Sequence, residues 1–142
     1  MSKVQFAYLK TYNRIIALLL TFLGVTVSCA KAEYGTPSAN FIVNGNIKSS
    51  VTNQPIQNVR VVMENDSTYT DATGHYQVGE SRFPVSQTFT IKIKDLDGSL
   101  NGEFNNFDTL VEFKDPQFIN GDGHWYDGET TKVLNIKLTP KK

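Results

Sequence analysis

Val43-Asn44-Gly45-Asn46-Ile47, Gln54-Pro55-Ile56-Gln57-Asn58-Val59-Arg60-Val61 and Tyr69-Thr70-Asp71-Ala72-Thr73-Gly74-His75-Tyr76-Gln77-Val78 follow one another in the first half of the chain. The first two blocks alternate apolar with polar residues, the mark of a strand with one buried face. Near the start of the second, Pro55 has no N–H to donate, which suits the entry to a strand. The third block carries a turn. Asp71 favours its first place because the carboxylate accepts backbone N–H groups, and Gly74 its last because glycine tolerates positive φ. Tyr76 then restarts an inward face.

The same period continues outward. Phe41 joins Val43 and Ile47, and Met63 joins Val59 and Val61. Phe89, Ile91 and Ile93 alternate with Thr88, Thr90, Lys92 and Lys94. Leu134, Ile136 and Leu138 alternate with Asn135 and Lys137. Turn residues punctuate these runs at Asn65-Asp66, Asp97-Gly98, Gly121 to Gly123 and Asp127-Gly128. Nothing after Cys29 has a helical period. The expectation is an all-β fold, an antiparallel seven-stranded β-sandwich over 41–142.

Those three blocks resemble the carboxypeptidase regulatory-like family, a transthyretin-like β-sandwich module. Its pattern is a Val-x-Gly-x-Val/Ile strand, a Pro-Ile/Leu-x-x-Val-x-Val strand and then Thr-x-x-Gly-x-Tyr/Phe. The resemblance implies a scaffold, and scaffolds of this kind do not by themselves imply an activity.

The N-terminus has a different build. Lys3, Lys10 and Arg14 precede an apolar run, Ile15 to Val27, followed by Ser28 and then Cys29. A basic region, a short apolar run and a small residue make a secretory signal over 1–28. The run is shorter than the roughly 20 residues a spanning helix needs. Cys29 is the only cysteine, so no disulfide forms within the chain. Its place resembles a bacterial lipoprotein signal, which implies lipidation of Cys29 and a membrane as partner. Thr26 stands where that pattern usually has Leu, Val or Ile. A retained short anchor, or a plain cleaved signal leaving a thiol, are the alternatives. Ala30 to Asn40 is small and polar, so 29–40 reads as a tether.

All 14 acidic residues follow Cys29, against 11 of the 14 basic ones, so the part from Cys29 onward has a net charge of −3. That balance argues against nucleic acid as a partner, because phosphate contact needs surplus Lys and Arg. The signal, the Glu33-Tyr34-Gly35-Thr36-Pro37 tether, the sandwich blocks and Asp95-Leu96-Asp97-Gly98-Ser99-Leu100-Asn101-Gly102 together resemble small Bacteroidetes lipoproteins found beside radical-SAM maturation enzymes. This implies an exported, envelope-anchored protein that is partner or substrate of such an enzyme.

The residues give no catalytic constellation and no cofactor motif. No serine lies in Gly-x-Ser-x-Gly. His75 and His124 flank glycines in expected turns, without the companions a zinc site needs. Asp95, Asp97 and Asn101 put oxygen ligands on a glycine-bent loop, a weak calcium candidate that has Asn106 where an EF-hand has its Glu. Trp125 and Tyr126, on a glycine-rich loop, could stack on sugar rings and make this a glycan-binding surface lipoprotein, or could cover an end of the core. Ser67 and Thr109 follow aspartates in a pattern that resembles the Bacteroidetes O-glycosylation motif.

Overall fold

The computed structural model describes residues 3–26 and 35–142. The first segment is helix α1 (Lys3–Thr26). Among the described residues no helix is long and apolar enough to cross a membrane. The second segment, from Gly35 onward, is a separate unit, and the rest of this section concerns it.

Nine strands run along it: β1 (Ser38–Ser49), β2 (Val59–Met63), β3 (Asp66–Tyr69), β4 (His75–Arg82), β5 (Gln87–Asp95), β6 (Phe107–Phe113), β7 (Ile119–Asn120), β8 (Tyr126–Val133) and β9 (Ile136–Leu138). The only other regular element among the described residues of this unit is a single 3₁₀ turn, Gly98–Asn101. One sheet has the order β4-β1-β8-β7, with β9 also on β1; the other is β3-β2-β5-β6. The fold is thus all-β with two sheets.

Four features depart from the sequence reading. The first sheet is mixed, because β8 and β9 both lie parallel to β1. Nine strands replace the expected seven partly because one apolar run is broken. Leu134 turns its N–H to Asn44 O at 2.7 Å, and Asn46 N–H bonds the Asn135 side chain at 3.0 Å instead of a strand carbonyl. The chain comes so close here that a Cβ on Gly45 would lie 1.9 Å from Leu134 O. The strand resumes where Ile47 pairs Ile136. Asp127-Gly128, expected as a turn, is a bulge inside β8: the register shifts between Ser38 and Ala39, and Gly128 has φ +110. β1 starts at Ser38, inside the stretch read as tether.

The inward faces are those the alternation marks. Phe41, Val43, Ile47, Val59, Val61, Met63, Phe89, Ile91 and Ile93 are buried, and Leu134 is half-buried. Four aromatic rings interlock at one end of this core. Phe41 lies 5.4 Å from Phe89, 5.2 Å from Phe113 and 5.5 Å from Phe118. The last two contacts are edge-to-face, which the ring quadrupoles favour.

One buried polar residue, Thr70, ties the chain together at the start of β2. Thr70 Oγ1 donates to Ile56 O at 2.7 Å and accepts from Val59 N at 3.0 Å, so the hydroxyl is fully used. The Asp71 turn forms as its residues predict. Asp71 Oδ1 accepts from Thr73 N, Thr73 Oγ1 and His75 N, and Gly74 takes φ +75. Tyr76 then points inward, 1% exposed, and donates its hydroxyl to Leu134 O at 2.8 Å. Burial raises its phenol above the usual range.

Candidate functional site

The segment from Gly35 enters the sheet against Trp125. Ser38 donates its N–H to Trp125 O at 2.7 Å, and β1 starts there. Gly35 lies flat against the indole: a Cβ on it would be 2.7 Å from Cγ and Cδ1 of Trp125. Trp125 keeps 38% of its surface exposed. Tyr126 is half-buried, and its hydroxyl accepts from the Asn40 side chain at 3.1 Å. The aromatic pair therefore fastens the chain's own entry segment, Trp125 to Gly35 and Tyr126 to Asn40.

The loop that carries the pair repeats the Asp71 device. Asp122 Oδ1 accepts from His124 N at 2.9 Å and Tyr126 N at 3.3 Å, while Asp122 N bonds Tyr126 O. The Thr73 hydroxyl, with the N–H groups of His75 and Thr73, holds the Asp71 carboxyl below the ordinary range, and the His124 and Tyr126 N–H groups do the same for Asp122. Both histidines of the chain follow these turns, and the side chains of both are exposed.

The acidic loop brings two carboxyls together. Asp95 Oδ2 accepts from Phe104 N at 2.8 Å, and Asp97 stands beside the same carboxyl. Desolvation, reinforced by neighbouring Asp97, raises the Asp95 carboxyl. Asn101 ends the 3₁₀ turn, and its side chain lies outside the described residues. Two carboxyls facing each other invite a proton or a cation. Calcium, however, takes six to eight oxygens, and among the described residues no three His, Cys, Asp or Glu gather to hold a metal.

Ser67 is exposed on β3, with the Arg60 guanidinium 3.4 Å from its hydroxyl. Thr109 is half-buried on β6, opposite Ile91. A bulky sugar fits the first position far better than the second. Cys29 lies outside the described residues.

Compared with models of known protein families and with curated proteins, the chain matches none.

Proposed function

We propose that this chain is an exported protein, lipid-anchored to the bacterial envelope through Cys29, whose β body is a non-catalytic accessory or interaction module. In this reading the body is a transthyretin-like, carboxypeptidase regulatory-like sandwich. The protein works with a radical-SAM maturation system, as its partner or its substrate. The observation that carries the anchoring is the position of the lone cysteine, directly after the apolar run and its small residue. The fastened entry segment supports it. Only five residues separate Cys29 from Gly35 on the indole of Trp125, a reach of about 20 Å when extended. An acyl anchor on Cys29 would thus hold the aromatic end of the body at the membrane surface. Several acyl chains bury many CH₂ groups at about 0.8 kcal/mol each, which makes release rare.

Intact-mass measurement of the native protein tests this. The expected mass is that of residues 29–142 plus several acyl chains, lost together with membrane partitioning in Cys29→Ser. A native mass without acyl chains, or a Cys29→Ser protein that keeps both mass increment and membrane fraction, overturns the anchoring. Co-purification of a radical-SAM enzyme with the acylated protein, or a further mass increment dependent on that enzyme, is the result expected for the partnership. Absence of both refutes that part.

A further inference from the structure

The break between β8 and β9 leaves a groove on the outer face of the first sheet. It has a volume of about 310 Å³ and is lined by Asn46, Lys48, Asn53, Asn135, Ile136 and Lys137. Its walls come from three separate parts of the chain: β1, the turn after it, and the segment from the break into β9. Asn53 enters from the turn with φ +59, its N–H bonded to Ser49 O. Asn135 is fixed by accepting from Asn46 N, which leaves its amide N–H₂ to donate elsewhere.

The charges are the informative part. Lys48 and Lys137 stand opposite each other in the parallel register of β1 and β9. Their neighbours Ile47, Ser49, Ile136 and Leu138 are buried, so both lysines lie on the outer face. Like charges directly opposite one another in a sheet destabilise it. Among the described residues no carboxylate forms an ion pair with either lysine. The side-chain amides of Asn46 and Asn53 likewise have no protein hydrogen-bond partner among the described residues.

We propose that this groove binds an acidic sugar, with Lys48 and Lys137 holding its carboxylate and Asn46, Asn53 and Asn135 bonding its ring hydroxyls. The two ammonium groups supply the countercharge for one carboxylate. Carboxamides both donate and accept, as hydroxyls do, which suits a polyhydroxylated ring. The volume is at the small end for ligand pockets and fits one or two sugar rings. A neutral sugar would leave the lysines uncompensated, and an apolar ligand would strand five polar side chains. The inference stands on β1, the turn after it and the segment from the break into β9, and is independent of whether Cys29 is acylated.

The test is calorimetric titration of the full chain in non-ionic detergent. The probes are short oligosaccharides of glucuronate and of galacturonate, their carboxyl-reduced neutral counterparts, and inorganic phosphate. The expected result is binding of at least one acidic oligosaccharide that weakens with added salt. Its neutral counterpart should bind at least about tenfold more weakly. Lys48→Gln and Lys137→Gln should each cost about tenfold, the order expected for a hydrogen bond to a charged group. Lys94→Gln on β5, in the other sheet, should change nothing, and unaltered circular dichroism shows that each variant is folded. The proposal is overturned if no acidic oligosaccharide binds, if the neutral counterpart binds equally, if the lysine variants bind as the parent does, or if phosphate alone binds as tightly as the sugar.

Discussion

Replacing Thr70 by valine would change shape little and remove one oxygen. That oxygen accepts from Val59 N–H at 3.0 Å and donates to Ile56 O at 2.7 Å, and Thr70 is 2% exposed. Water cannot easily replace it there. Each orphaned buried group costs roughly 1–3 kcal/mol, and the added methyl returns part of this, so Thr70→Val should lose about 2–4 kcal/mol. Thr70→Ser keeps the hydroxyl and deletes one methyl, for a loss of about 1 kcal/mol. The backbone bonds of Thr70 to Val59 O and Asn58 N, both 3.0 Å, remain in either variant. Urea unfolding of parent and variants, followed by circular dichroism, measures the difference. With a slope of roughly 1.5 kcal/mol per M, the valine midpoint falls by about 2 M and the serine midpoint by well under 1 M. A valine variant at least as stable as the serine variant would refute the claim that the hydroxyl, not the methyl, holds the start of β2 to the end of β3.

Gly74→Ala should destabilise by about 2 kcal/mol or more in the same assay, because alanine is strained at φ +75 and its Cβ would lie 2.5 Å from Ile47 O. Gly35→Val should push the indole of Trp125 off the entry segment. As Trp125 is the only tryptophan, the expected readout is a red shift of its emission, with faster proteolysis near residue 35. The carboxylates give two opposite pH signs. Asp71 and Asp122 are depressed on folding, so their stabilisation is present above their unfolded pKa of about 4 and is lost as pH falls through the lower folded values. Asp71→Asn should flatten the acid limb of the unfolding midpoint against pH. Asp95 is raised, so its contribution is present below about pH 4 and lost as pH rises through its folded value. Asp95→Asn, whose amide oxygen can still accept from Phe104 N, should therefore equal or exceed the parent in stability at pH 7.

Strands with an apolar inner face could be read from sequence alone. Phe41 to Ile47, Val59 to Met63 and Phe89 to Ile93 follow the pleat, and each marked residue is buried. The Asp71 turn was legible because its chemistry is local. β8 was not. Its residues Tyr126–Val133 are mostly polar, and the burial pattern has only Gly128 fully inside. Its strand state comes from pairing with β1, some ninety residues earlier, which no local pattern encodes. The same pairing turns Asp127-Gly128 from a turn into a bulge. For the sites, the oddity of Trp125 and Tyr126 was visible, but their partners Gly35 and Asn40 are distant in sequence. The lysine groove was invisible for the same reason, since Lys48 and Lys137 meet only through the β1–β9 register.

That register also dictates an order of events. β1 is the first strand of the body to be made, and one of its two edges is completed only by β8 and β9, which are among the last. A chain emerging N-terminus first can zip β1 to β4 early, while the opposite edge stays open until Ile136–Leu138 has arrived. Loops of this length are slow to close, and an open apolar strand edge invites pairing with other chains. The first sheet is therefore completed last, and a chain truncated before residue 136 leaves the far end of β1 without its parallel partner.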